Sequence, residues 1–290
     1  MIKLLNANLS RLFKGKLFYI CILSAVAFAL FEAISNALKP IEHNILAESP
    51  LFSESGIFLL ILTAVFSGIF VGAEHDGALR NKIIAGKRRF EILLAQMISC
   101  SVATVLFHIV FIATVILTGL ITGGRFLFSF GETMLYELLQ LISLIEASVL
   151  FTMISLIIQH KSKGTVVSLL VLVVLSVLVP TPPRYSFEAF YNGIPMSQSE
   201  KQNISDSEKL LIGICEGIRD INPFGQQKQI KESYCNRLYY PAYTEYQKFS
   251  ADNDVYTEIP VPVEITLFAT GTIVAMTAVG VLVFRKKDIK

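Results

Sequence analysis

The sequence predicts an all-α polytopic membrane protein with six transmembrane helices, an amphipathic helix ahead of the first and a large loop between the fifth and sixth. Three observations carry that fold class. The composition is 53% hydrophobic and 17% charged, with mean hydropathy +0.59, which is more apolar and less charged than a soluble domain of 290 residues. Several apolar runs reach the ~20 residues that a helix needs to cross a bilayer. The basic residues fall in alternate short loops, as the positive-inside rule requires of a chain that weaves through a membrane. The net charge of +2 says nothing in favour of nucleic acid.

The elements follow in order. Within residues 1–16, Ile2, Leu5, Leu9, Leu12 and Phe13 recur at helical spacing, with Lys3, Asn6, Arg11 and Lys14 elsewhere. That pattern predicts a short amphipathic helix on the inner leaflet, either a basic anchor or a helix that also docks a partner. The first span covers about 17–35 and continues past Leu30 with no small-residue cleavage site, so it reads as a retained span. The second covers 55–73 and the third 92–121, long enough to tilt or to extend beyond the lipid. The fourth covers 136–159. The fifth covers 164–179 and is stopped by the prolines at Pro180–Pro183. The sixth covers 264–284.

Lys3, Arg11, Lys14 and Lys16 precede the first span; Arg80, Lys82, Lys87, Arg88 and Arg89 separate the second and third. Lys161 and Lys163 separate the fourth and fifth, and Arg285, Lys286, Lys287 and Lys290 follow the sixth. The alternate short loops hold only Lys39 and Arg125. Both termini are therefore expected in the cytoplasm, and the loop 181–262 outside. That loop is rich in tyrosine and holds more acids than bases, and a loop of this length is folded or functional rather than slack. Leu210–Ile218 is apolar enough to pack or to dip toward the membrane. Asn203–Ser205 fits a glycosylation acceptor, a pattern common by chance.

Four cysteines are present. Cys21 and Cys100 lie in apolar segments and read as packing residues. Cys215 and Cys235 share the outer loop; a disulfide between them is open, because spacing alone does not establish geometry. No Walker A sequence, His-Glu-x-x-His pattern or Gly-x-Ser-x-Gly elbow occurs, so neither nucleotide binding by a P-loop nor catalysis by this chain is expected. The four histidines, His43, His75, His108 and His160, are scattered, and no metal site is expected.

Glu146 lies near the middle of the fourth span, where a charge is costly. Gln140, Ser143 and Glu146 step down one side of that helix, so this arc should face protein or water. Two readings stand for the arc: an interhelical hydrogen bond, or the lining of a substrate path.

The most specific stretch is Val71–Glu91, "VGAEHDGALRNKIIAGKRRFE". Topology needs only its charges, yet it also carries an acid at a helix end, turn glycines and a short amphipathic segment at Ala78–Ile84. Gly72–Gln96 resembles the first cytoplasmic loop of ABC-2-type transporter permeases. Glu74, Gly77, Ala78, Leu79, Arg80, Asn81, Lys82, Gly86, Arg88 and Arg89 stand at the family's positions, with Ala78 in place of the more usual Thr. Leu4–Ile20 also resembles the family's N-terminal connecting helix, with Leu5, Leu9, Arg11 and Leu12 on it. The loop 181–262 has no counterpart in the resemblance.

The resemblance implies a single ABC-2-type transmembrane domain over 1–290, with a connecting helix at 1–16 and a coupling helix in the loop 74–91. It implies a non-catalytic permease subunit of an ATP-driven exporter in a bacterial plasma membrane. Two cytoplasmic ATPase subunits would bind the ATP and magnesium, and a second permease would complete a homodimer or heterodimer within the lipid. Glu74, Gly77, Leu79, Arg80, Asn81, Lys82, Arg88 and Arg89 would form the ATPase-coupling set. The expected cargo is a hydrophobic or amphipathic substrate, such as an antimicrobial, lantibiotic-like or toxic peptide, moved for export or self-immunity. The alternatives are a drug or other small-molecule efflux permease, and a non-transporting sensor or scaffold that binds a ligand through its outer loop. An intramembrane enzyme would instead require His108 and Glu146 to converge.

Overall fold

The computed structural model describes residues 1–37, 51, 55–74, 82, 84–122, 129–158, 160–179, 206–239 and 261–286. The described residues are helical apart from short turns and caps. In chain order the helices are α1 (Ile2–Lys14), α2 (Lys16–Ala37), α3 (Ser55–Gly72), α4 (Arg89–Ile121), α5 (Phe130–Ile158), α6 (Lys161–Val177), α7 (Asp206–Ile221), α8 (Pro223–Tyr239) and α9 (Val261–Lys286).

Five of these, α2, α3, α4, α5 and α9, are long and apolar enough to cross a bilayer. Among the described residues, five of the six expected spans therefore reach that length. The fifth expected span is the 17-residue helix α6, about 25 Å long and shorter than the ~30 Å hydrocarbon core. Of the loop 181–262, residues 206–239 are described, and they are folded. Its described part forms α7 and α8, which turn back and pack on α3, α5, α6 and α9.

Burial sorts the bundle into centre and rim. The span in α3 is 72% buried, against 17% for α9 and 28% for α2, so α3 lies at the core and the other two face outward. The apolar surface that α2 and α9 expose is the composition expected of lipid-facing helices.

Close packing comes from small residues and phenylalanines. On α2, Cys21, Ala25, Ala29 and Ala33 form one buried stripe at four-residue spacing, the small-residue seam that lets membrane helices approach. The helix packs there on α4. Phe18 and Phe28 of α2 meet Phe107 and Phe111 of α4, with ring centroids 5.7 and 6.3 Å apart. Phe28 also stacks on Phe58 of α3 at 4.0 Å, and Phe66 meets Phe107 edge-on at 5.2 Å. Between α3 and α6, Gly68 approaches the Thr165 backbone so closely that no side chain fits there.

The N-terminal helix is amphipathic as expected, but its face is rotated. Leu4, Asn8 and Leu12 are buried, Leu5 and Leu9 are half-buried, and Ile2 and Phe13 are exposed. The helix lies across α4 at the end of the bundle that carries Lys14, Lys16 and Arg88, called here the basic end.

Candidate functional site

Two polar constellations interrupt the apolar bundle, one at the basic end and one at the seam between α5 and α8.

At the basic end the last turn of α3 runs out through Ala73 to Glu74. The Glu74 carboxylate is buried and has two cationic partners. Arg11 Nη1 of α1 forms an ion pair with its Oε1, and Lys82 Nζ lies 2.7 Å from both oxygens. Lys82 also donates to Asn8 Oδ1 at 3.0 Å, and Arg11 Nη2 donates to the Phe70 carbonyl at 3.2 Å. The guanidinium sits 4.0 Å from the Phe70 ring centroid, a cation–π contact. Burial pulls the Arg11 pKa down and Glu74 pushes it back up; a guanidinium stays charged regardless. The three groups thus clasp α1, the end of α3 and the elbow together.

Of the expected coupling residues, the structure brings Glu74 and Lys82 together with Arg11. It leaves Arg88 exposed as the N-cap of α4, with Arg89 opening that helix. Gly77, Leu79, Arg80 and Asn81 lie outside the described residues. Gly86 has φ 76°, a left-handed conformation that favours glycine, and turns the chain toward α4. Sequence reasoning missed Asn8. Its signal was a polar residue between Leu4 and Leu12 on one helical stripe, where an apolar residue would otherwise stand.

The second constellation contains the expected polar arc. Gln140, Ser143 and Glu146 are all buried, and α8 covers all three. Gln227 Nε2 donates to the Gln140 carbonyl at 3.1 Å, and Ser143 Oγ donates to the Pro223 carbonyl at 3.1 Å. Gln226 Nε2 donates to Glu146 Oε2 at 2.9 Å and to the Asp220 carbonyl at 2.7 Å. In the orientation that satisfies both ends of its amide, Gln140 donates to Glu137 Oε2 and accepts from Gly56 N, each at 3.2 Å. Glu146 thus makes an interhelical hydrogen bond to α8. His108 lies 3.2 Å from Glu137 Oε2, one layer above, so the pairing that an intramembrane enzyme needed goes to a different acid.

The local sequence explains how α8 arrives there. Asn222 and Pro223 are an N-cap followed by proline at the first helical position, a strong helix start. Asn222 Oδ1 accepts from Phe224 N at 3.0 Å while its Nδ2 donates to the Leu175 carbonyl at 2.7 Å. One side chain thus caps the start of α8 and an orphan carbonyl in the last turn of α6. Counted from their basic ends, Leu175 and Ser143 both stand about 21–23 Å up the bundle. The α7–α8 corner therefore packs against α5 and α6 well inside the bundle.

The thiol of Cys215, on α7, is buried and free; the Cys235 side chain lies outside the described residues. Among the described residues no group of three or more His, Cys, Asp or Glu side chains could hold a metal ion.

A methyl group on Gly56 would overlap the carboxamides of Gln227 and Gln140. Gly56→Ala is expected to displace Gln227 and loosen α8 while leaving α3–α6 packing intact. Hydrogen–deuterium exchange should then rise in residues 223–231 and stay unchanged in α3.

Comparison with protein-family models and with curated proteins returns no match.

Proposed function

We propose that this chain is the membrane subunit of an ATP-driven exporter, with ATP hydrolysis in separate cytoplasmic ATPase subunits. The observation that supports this best is the Arg11–Glu74–Lys82 clasp. An ATPase can shift a permease between states only through contacts that differ between those states, and the contacts must be transmitted by rigid parts. The clasp makes α1, α3 and the elbow one such part, so force at the elbow reaches two separate elements of the bundle. Glu74 and Lys82 then act as the brace, and exposed Arg88 belongs to the contact surface, where a guanidinium would pair with ATPase carboxylates.

Two ATPase subunits and a second permease, identical or related, would complete the transporter in a bacterial plasma membrane. The cargo proposed is an amphipathic peptide. The apolar bundle suits its greasy face, and the buried seam at α8 supplies polar groups for the rest.

Co-expression with a cognate ABC ATPase and reconstitution in nanodiscs tests the proposal. The expected result is a stable complex whose ATP hydrolysis falls about tenfold, some 1.4 kcal/mol, in Arg88→Glu. Failure to assemble with any ATPase, together with full function of Arg88→Glu, would overturn it.

A further inference from the structure

The seam between α5, α7, α8 and α9 has an excess of buried acceptors. Glu146 is 1% exposed and stands about 18 Å from the basic end of α5, near the middle of a bilayer. Its polar neighbours are the Gln226 amide and the Thr272 hydroxyl. Among the described residues no basic side chain reaches it. Its Oε1 has no hydrogen-bond partner among the described residues.

Gln226 is fully buried and commits its nitrogen to Glu146 and to the Asp220 carbonyl; among the described residues the oxygen of the same amide has no partner. One turn along α8, Gln229 Oε1 is unpartnered too. Nearby, Asp220 and Glu264 are hydrogen-bonded to each other. Arg219 supplies a cation to that pair, 2.8 Å from Asp220 Oδ1 and 3.9 Å from Glu264 Oε1, with Glu216 exposed beside them. The Arg219 guanidinium is thus drawn to the outer two acids, and among the described residues Glu146 has no counter-charge.

A buried carboxylate is tolerated when it is paired or neutralised, and a buried oxygen without a donor is costly. Among the described residues, no compact positive group meets the Glu146 and Gln226 oxygens. We propose that Glu146, with the free carboxamide oxygen of Gln226, forms a binding site for a small monovalent cationic group, either an alkylammonium or guanidinium carried by cargo or a sodium or potassium ion. Entry requires α8 to move. Its polar contacts with α5 are single hydrogen bonds from glutamines and a serine, which exchange for water more readily than interdigitated apolar side chains part. The cargo form of the site rests on the exporter reading; the ion form does not.

The test uses the full-length chain alone in nanodiscs, without an ATPase, so its failure is separable from failure of the exporter proposal. Methylammonium, guanidinium, sodium and potassium are each titrated against choline at fixed ionic strength, with thermal unfolding as the readout. A bound cation should raise the wild-type Tm along a saturating curve. The response should weaken about tenfold or more in Glu146→Gln and also in Gln226→Leu, a second variant that keeps the carboxylate. It should persist in Glu132→Gln, a matched loss of charge on the exposed first turn of α5. A response confined to methylammonium and guanidinium assigns the site to cargo; one confined to sodium or potassium assigns it to an inorganic ion. Equal responses in wild type, Glu146→Gln and Gln226→Leu, or none to any of the four cations, would overturn the proposal.

Discussion

Arg11→Ala is expected to lower the unfolding free energy by roughly 3 kcal/mol and to free α1 from the bundle. The substitution removes a partner from the buried Glu74 carboxylate, the cation–π contact with Phe70 and the bond to the Phe70 carbonyl. The value lies at the low end for a broken buried pair, because the Arg11 side chain is 35% exposed and Lys82 keeps its own contact. Reversible unfolding in detergent micelles measures the loss. A cycle with Glu74→Gln isolates the pair, and a coupling below about 0.5 kcal/mol would mean that α1 is held by apolar packing alone. A cysteine at Leu12, now 1% exposed, should become open to thiol reagents in the Arg11→Ala background.

The second large effect is expected at Gly68. A Cβ there would stand 2.6 Å from Thr165 Cα, a backbone atom that cannot rotate aside. Gly68→Ala should therefore separate α3 from α6 and cost about 1–3 kcal/mol, and Gly68→Leu should prevent the two helices from closing. The opposite sign is expected at Gly213, inside α7 with nothing near its missing Cβ. Gly213→Ala should stabilise by roughly 0.5–1 kcal/mol through helix propensity alone. Fluorescence-detected size-exclusion after a heating series ranks the three variants. A Gly68→Ala protein as stable as the wild type would show that the α3–α6 contact is looser than described.

The spans were legible because lipid imposes one rule, length of apolar run, that the chain states outright. The clasp was legible in its parts: Glu74 was read as a helix-end acid, Lys82 as an elbow cation and Arg11 as part of the N-terminal helix. Their meeting was not, because pairing across so much chain depends on how α1 lies on α4. The same cause explains the rotated face of α1. Spacing alone grouped Ile2, Leu5, Leu9, Leu12 and Phe13, whereas packing kept Leu12 and added Leu4 and Asn8.

The apolar stretch of α7 was legible as a packing segment, but α8 was not. With Gln226, Gln227 and Gln229 on its inner side, α8 looks like a solvent helix, and its composition gives no reason to place it within a bundle. The hint lay in its partner: Gln140, Ser143 and Glu146 required something polar to face them, and Asn222-Pro223 marked where such a helix could begin.

That complementarity has a consequence for how the chain is made. Glu146 and its donor Gln226 are 80 residues apart. At about 5–20 residues per second the ribosome reaches Gln226 some 4–16 s after Glu146. Throughout that interval α5 already has its acid and two further polar side chains, but the helix that satisfies them has not been synthesised. The stripe on α5 is therefore a reason for this helix to stay beside the insertion machinery, and a nascent chain arrested before residue 226 should be recovered still attached to it.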